Sequence, residues 1–531
     1  MMSEEFDYAV IGAGSSGCVI ANRLVGAGKR VLLLESGPAD DDKFIHIPAT
    51  FVRVIGTKRS WLYQSEPQRG AANRTMWVPQ GRTLGGGSSL NAMVYIRGQA
   101  EDYDEWADLG CDGWAWRDVL PVFRRCEANT RLVDAWHGND GPLSVTDTNY
   151  RHPLSRGFVA GAQQVGLPYN PDFNGARQAG VGFYQTTTRR GRRGSTAVTY
   201  LRPAMTNPNL KVVTQAHVSR VILENGAAVG VAYRIADGSE RTARVRDEVI
   251  LSSGALSTPK ILLLSGIGPA QDLAGLGIPV IRNLSGVGQN YQDHLEVPVC
   301  GRTRKPISLL GNDRGLKALR HGAQYVLFRS GLLTSNVVES GGFVDTLGSG
   351  RPDVQFHVLP VLVGDVGREP IEGHGISINP CFLRPKSRGT VTLRSSDPSA
   401  PILFNPNYLS DQDDVDTLVR GVKLARAILR APALAALLEK ELLPGEADHL
   451  DDRTLANHVR GFAKTVYHPA GTCRMGKGDD SVVDPKLRVR GVSRLRVADV
   501  SIMPKLISGN TNAAAVMIGE RCADFILGKT V

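Results

Sequence analysis

The amino-terminal stretch FDYAVIGAGSSGCVIANRL, followed shortly by RVLLLE, constrains the fold more than any other part of the chain. Phe6 to Ile11 is a short apolar run of strand character that ends on GAGSSG, where Gly12, Gly14 and Gly17 fit G-x-G-x-x-G. Cys18 to Leu24 continues as a helix, and the second apolar run closes on Glu35, 23 residues after Gly12. Each part has a physical task. The first glycine makes the tight turn, the second lets a pyrophosphate approach the backbone, and the third lets helix and strand pack closely. Ser15 and Ser16 stand at the start of that helix, where free amides and the positive dipole end face a phosphate. Glu35 accepts hydrogen bonds from a ribose diol, and its charge repels the 2′-phosphate of NADP. The expectation is an α/β, Rossmann-like domain holding NAD or FAD.

A second glycine-rich segment, GRTLGGGSSLNAMVYIRG at 81–98, is too long for a hairpin. Gly85, Gly86 and Gly87 remove side chains where a long ligand comes close to backbone, and Ser88, Ser89 and Asn91 offer polar contacts. The apolar residues after it, Met93 to Ile96, predict a packed loop rather than a mobile one. Two later segments carry the same α/β character. VRDEVILSSGALSTPKILLLSGIG (245–268) predicts a strand and then a helix capped near Ser257-Thr258-Pro259. LRVADVSIMP (495–504) predicts a strand reaching Asp499, with a helix over Ala513 to Leu527. Residues 297–460 mix strands such as VQFHVLPVLV and GTVTLRS with a helix around 412–430. The reading is therefore a nucleotide domain assembled from 1–155, 205–296 and 464–531, and a substrate domain with an antiparallel sheet and helices from 156–204 and 297–463.

Composition excludes several functions. The net charge of +10 is dilute over 531 residues, and the densest basic run, RRGRR at 189–193, lacks the interleaved aromatics of a nucleic-acid surface. That run is read as a solvated loop, with contact to an anionic membrane surface as the sharper alternative. The seven cysteines are scattered and never spaced as CxxC, so neither zinc nor a disulfide framework is expected. The acidic opening MMSEEF lacks the basic start of a secretory signal, and no apolar run reaches membrane-helix length. A cytoplasmic protein is expected, peripheral on the membrane at most; the sequence leaves its oligomeric state open.

In YHPAGTCRMG, His468 precedes a proline and three small residues. On its own this is a satisfied core histidine or an imidazole held toward a cavity. Pro469 restricts the His468 backbone to an extended region, and Ala470, Gly471 and Thr472 are expected to leave room beside the ring for a cofactor and substrate.

Together, GAGSSG with Glu35, GRTLGGGSSLNAM, GALSTPKILLLSGIG, GVGQNYQDH, YHPAGTCRMG and VADVSIMP…GNTNAAAVMIGERCAD resemble the glucose–methanol–choline (GMC) family of FAD-dependent oxidoreductases over essentially the whole chain. Within it, NAMVYIRG, NPDFNG and SNVVESGGF look most like bacterial alcohol dehydrogenases and their choline- and sorbose-oxidising kin. The resemblance implies that Gly12, Gly14, Gly17 and Glu35 hold the ADP half of FAD. It implies that Arg82, Gly85, Gly86, Ser88 and Asn91, with Ala92 and Met93 following, line the pyrophosphate and flavin side. Val218 matches the position whose backbone meets adenine, Asp499 and Asn512 lie toward the ribityl and pyrimidine end, and Thr511 is expected among the cofactor contacts. His468 matches the catalytic histidine and Asn510 the second catalytic position. Leu90 stands where some members carry the histidine that attaches FAD covalently, so non-covalent FAD is expected.

The chemistry follows from those roles. Neutral imidazole removes the hydroxyl proton of an alcohol, Asn510 stabilises the developing alkoxide, and flavin accepts the hydride. The expected activity is oxidation of a primary or sugar alcohol, with electrons passed to a quinone-like acceptor. An oxygen-using oxidase and a non-redox FAD-containing lyase are the alternatives. His294 is read as structural and His357 as a cavity residue. Glu339 is the acid suggested for a choline substrate, and the sequence does not name the alcohol.

Overall fold

The computed structural model describes residues 5–365 and 370–529. Its first layer is a sheet whose parallel part runs Leu210–Val213, Val31–Leu34, Phe6–Ile11, Glu240–Leu251, Leu495–Val497. Five distant parts of the chain thus meet side by side. The strands Val31–Leu34 and Leu495–Val497 are wholly buried, as expected of parallel strands covered on both faces. The long strand Glu240–Leu251 also turns back into an antiparallel meander with Ala227–Arg234 and His217–Glu224. The helices Ser15–Gly26 and Asn512–Leu527 pack against each other, and Ser16 Oγ donates to the Ala515 carbonyl at 2.7 Å.

The second layer is an eight-stranded sheet in which Leu438–Leu443, Val299–Thr303, Gly375–Phe382, Val354–Leu359, Ser340–Val344 and Gly180–Phe183 pair antiparallel in that order. Leu295–Glu296 and Lys464–Thr465, which the sequence reading gives to the nucleotide domain, pair with each other at this sheet instead. The helix Gln412–Arg430 lies on the sheet through Val415, Leu418, Val419, Val422, Ala425, Ile428 and Leu429, a 3.6-period stripe. Gly421 is required there, because a Cβ would sit 2.6 Å from Pro380 Cβ on the sheet beneath.

Two local expectations are corrected. The helix after VILSSG begins at Gly254, so Pro259 lies inside it rather than at its cap. The interior proline leaves the Ala255 carbonyl without its helical donor; the Thr472 hydroxyl, 217 residues away, donates to it at 2.6 Å. The RRGRR run is only partly solvated. Arg193 is 1% exposed and donates to the carbonyls of Ile45 and Ser88 and to Asn91 Oδ1, and burial pushes its guanidinium down to about 9.

Candidate active site

The two glycine-rich turns meet back to back. Gly85 N–H donates to the Ala13 carbonyl at 2.7 Å, and a Cβ on Gly86 would lie 2.7 Å from Gly14 Cα. Between them and the second sheet runs one continuous cavity of about 1510 Å³. It is lined by Glu35, Ala216 and Val218, by Gly12, Gly14, Ser15 and Ser16, by Gly86, Asn91, Ala92 and Met93, and by Thr511 and Asn512. His468 and Asn510 line it as well. The amino-terminal ends of both the first and the last helix open onto it, joined by Ser15 Oγ donating to Asn512 Oδ1 at 2.8 Å.

The wall fits an elongated, phosphate-bearing group. Arg82 lies on it with its guanidinium 4.4 Å over the Trp61 ring, while Nε is buried with no partner among the described residues. A buried guanidinium donor without an acceptor is costly unless a ligand supplies one. Helix amides and a glycine-lined approach complete an anion cradle.

Not every expected contact residue faces this cavity. Gly17, Gly85 and Ser88 lie behind its wall. A Cβ on Gly17 would fall 1.9 Å from the Gly12 carbonyl oxygen, so this glycine serves helix–strand packing. Gly85 takes φ +85°, and Ser88 Oγ donates to its carbonyl at 2.6 Å, so both shape the loop. Glu35 and Asp499 do line the cavity, but protein groups already engage their oxygens. Glu35 accepts from the amides of Ala13 and Gly37, and burial pushes its carboxyl up to about 7 despite them. Asp499 accepts from Gly254 N–H and the Thr258 hydroxyl, capping the helix Gly254–Leu264 from across the fold. Ala470, Gly471 and Thr472, expected to open space beside the ring, do not line the cavity. Ala470 pairs with Gln292, and a Cβ on Gly471 would meet the Asn290 carbonyl at 2.6 Å.

His468 is held from several directions. Its backbone N–H donates to Asp293 Oδ1 at 2.9 Å, and Asp293 also accepts the hydroxyls of Tyr291, Tyr408 and Thr465. Burial raises this carboxyl to about 6 against those four donors. The preceding Tyr467 is pinned at φ +67°, with its amide on Thr465 Oγ1.

The side-chain hydrogen bonds fix the tautomer. The Leu383 carbonyl lies 3.1 Å from His294 Nε2 and can only accept, so Nε2–H donates to it. His294 Nδ1 is then a lone pair, 3.0 Å from His468 Nδ1, which must donate. His468 Nε2 is left unprotonated, 3.4 Å from the Asn510 amide Nδ2. Asn510 is oriented in its turn, because its Oδ1 accepts from Gln355 Nε2 at 3.0 Å. His294, read from the sequence as merely structural, therefore sets which nitrogen of His468 is basic. Burial, with the neighbouring His294 and His357, holds the His468 imidazole well below its usual range, so it is neutral.

Of the polar floor, sequence reasoning finds His357, expected as a cavity residue, and misses Glu296 and Lys464. Glu296, His357 and Lys464 all line the cavity. Lys464 Nζ lies 3.2 Å and His357 Nδ1 2.9 Å from the two Glu296 oxygens, and Asn379 donates to Glu296 at 2.7 Å. Burial opposes the charge, but Lys464 and His357 outweigh it and keep the carboxyl below its ordinary value. His357 Nε2 is buried and unpartnered among the described residues. Glu339, the acid suggested by the sequence, is not on the cavity; it accepts from Ser335 Oγ and the His152 amide. The available signal for Glu296 was its spacing from His294, since alternate residues of an extended segment share a face.

The GMC oxidoreductase family models match residues 6–296 and 385–519. The chain is 45% identical to an alcohol dehydrogenase [acceptor] of Pseudomonas putida over 534 residues, covering 99% of this chain and 96% of that one. It is 43% identical to the mitochondrial choline dehydrogenase of Mus musculus, covering 99% and 90%. Among solved structures, pyridoxine 4-oxidase from Mesorbium loti is similar with a TM-score of 0.89 at 30% identity, covering 98% of each chain. A nucleotide-type cradle that leads to a buried, neutral histidine, in a chain matched along its length in this way, belongs to the GMC oxidoreductases.

Proposed function

We propose that this protein oxidises an uncharged aliphatic primary alcohol, with FAD bound non-covalently in the long cavity and His468 as the base. The observation that carries the reading is the directed chain from the Leu383 carbonyl through His294 to an unprotonated His468 Nε2 on the cavity wall. Gly12, Gly14, Ser15, Ser16, Glu35 and Val218 would hold the adenosine and phosphate half of FAD, and Arg82, Gly86, Asn91, Ala92, Met93, Asp499, Thr511 and Asn512 the remainder. When bound, FAD supplies the hydride acceptor. His468 Nε2 takes the hydroxyl proton as the carbon–hydrogen bond breaks. Asn510 Nδ2 donates to the substrate oxygen as its charge develops. His294 Nδ1 steadies the protonated ring by accepting from its Nδ1–H. The side chain of Leu90 has no nucleophilic atom with which to tether a cofactor.

Val338, Leu359, Leu362, Val363 and Val466 give the substrate end apolar walls. Glu296 alone would attract a cation, but its charge is balanced within the protein by Lys464. This pairing favours a neutral alcohol over a quaternary ammonium one. Lys464→Met is expected to move the ratio of kcat/KM for choline over that for 1-butanol upward by roughly tenfold, as removal of an opposing charge does. An unchanged ratio in folded variant protein contradicts the charge argument.

The pH profile is a second check. Protonation removes the base, and a lowered pKa postpones that loss to more acidic solution. The kcat/KM for an alcohol is therefore expected to stay level as pH falls through 6.5, the ordinary histidine value. An acid limb centred at or above that value argues against a buried neutral base.

The test of the function is a panel of alcohols, assayed under argon with a dye acceptor and in air by oxygen consumption. Dye-linked turnover of aliphatic primary alcohols with little oxygen uptake supports a dehydrogenase using a quinone-like acceptor. Absence of turnover with any alcohol contradicts the proposal.

A further inference from the structure

We propose that the helix Gly315–Phe328 is a docking surface for an anionic lipid membrane, lying in the headgroup layer beside the mouth of the cavity. The membrane contact stands on the surface itself; its use, meeting apolar alcohols and a lipid-dissolved acceptor, rests on the function proposed above.

The helix is amphipathic in the inverted sense. At 100° per residue, Leu316, Leu319, Ala323, Val326 and Leu327 fall within an arc of roughly 100° on one side. The side chains on this arc face solvent: Leu316 is 84% exposed, Leu319 70%, Val326 67% and Leu327 70%. Tyr325, opposite the arc, is the residue of this helix that is buried against the protein. Phe328, at the carboxyl end, is 72% exposed. An apolar stripe of this size turned outward marks a surface that is covered in use.

The surrounding charge identifies the cover. From Arg314 to Arg329 the sequence RGLKALRHGAQYVLFR contains four cations and no acid. The hairpin Thr188–Arg193 abuts its end, since a Cβ on Gly191 would lie 2.7 Å from the Arg329 carbonyl, and adds the exposed Arg189, Arg190 and Arg192. Among the described residues no carboxylate pairs with Lys317, Arg320 or Arg329, while the nearby Asp313 is engaged by Arg53. A second copy of the chain docked two-fold on this patch would set the cations against one another. Anionic headgroups complement them, and an in-plane helix flanked by Lys and Arg is the form such contacts take. No helix among the described residues is long and apolar enough to cross a membrane, so a surface contact is the geometry available.

The patch adjoins the cavity. Val52, 55% exposed, lines it, and its neighbour Arg53 is tied at 3.0 Å to Asp313 just ahead of the helix. The turn Leu332–Thr334 packs against both the helix and the segment Pro48–Val54.

The test is flotation of the FAD-loaded enzyme with vesicles of phosphatidylcholine alone and of phosphatidylcholine and phosphatidylglycerol in equal parts. Wild type is expected to float with the anionic vesicles, less so with the neutral ones or in high salt. The double variant Leu319→Glu/Leu327→Glu should lower the bound fraction roughly tenfold or more, with flavin content and dye-linked activity unchanged. Wild type that stays in the bottom fraction, or a variant that floats like wild type, overturns the proposal. So does wild type that forms a dimer dissolved by the same substitutions without binding vesicles, which would make a second copy the cover. Enzyme that floats as expected yet oxidises no alcohol supports the docking surface and overturns the function proposed above instead.

Discussion

Replacing His468 with alanine is expected to lower turnover of a saturating primary alcohol by roughly 10²–10⁴-fold, the range lost with a general base, while the protein purifies with its full complement of FAD. The two halves of this expectation have separate causes. His468 touches the polar chain of His294 and Asn510, so its removal deletes the nitrogen proposed to take the proton. The proposed phosphate cradle of Gly12, Gly14 and Arg82 belongs to other segments and is left intact. Turnover is measured with a dye acceptor and FAD by absorbance after denaturation. Near-normal turnover removes the assignment, and loss of FAD shows a structural role instead. His294→Leu is a finer probe, because His294 acts only through His468. It should lower kcat and also displace the acid limb of the pH profile, which a purely structural change would leave in place.

The second large effect involves no contact with substrate. Gly17→Ala adds one methyl group, 1.9 Å from the Gly12 carbonyl oxygen and 2.7 Å from Ser252 Oγ. The first of these is backbone, so the strand and the opening helix must part. Overpacking of this kind costs on the order of 3 kcal/mol or more where backbone has to move. The variant is expected to unfold at lower temperature and to purify largely without FAD, because the turn proposed to face the phosphates is the part displaced. Gly26→Ala is the control within the same helix, since a Cβ there meets nothing within 4 Å. Equal thermal stability and FAD content in the two variants contradicts the packing role given to Gly17.

The sequence was most legible where local pattern and chemistry coincide. Phe6–Ile11 and the helix after it are read correctly because an apolar strand, a glycine turn and a helix follow one another within 21 residues. The helix Gln412–Arg430 is read correctly because its stripe repeats for five turns behind an Asp411 cap. The polar site is less legible because its partners are distant in sequence. His294 and His468 are 174 residues apart, and no feature of QDH states that its imidazole meets another. Lys464 and Glu296 come together through pairing of the short strands Leu295–Glu296 and Lys464–Thr465. The small residues after His468 mislead for a similar reason. They are small because Gln292, Asn290 and the helix Gly254–Leu264 press on them, contacts that only the folded chain brings about.

The central claim is that an alcohol's proton goes to His468 while its hydrogen passes to bound FAD. Mixing the purified yellow enzyme with 1-butanol under argon, with no acceptor present, tests this in a single turnover. Rapid loss of the oxidised flavin absorbance in wild type, slowed by about the factor seen in steady state when His468 is alanine, is the predicted result. A flavin that keeps its colour with every alcohol, or that bleaches equally fast in both proteins, would contradict the account.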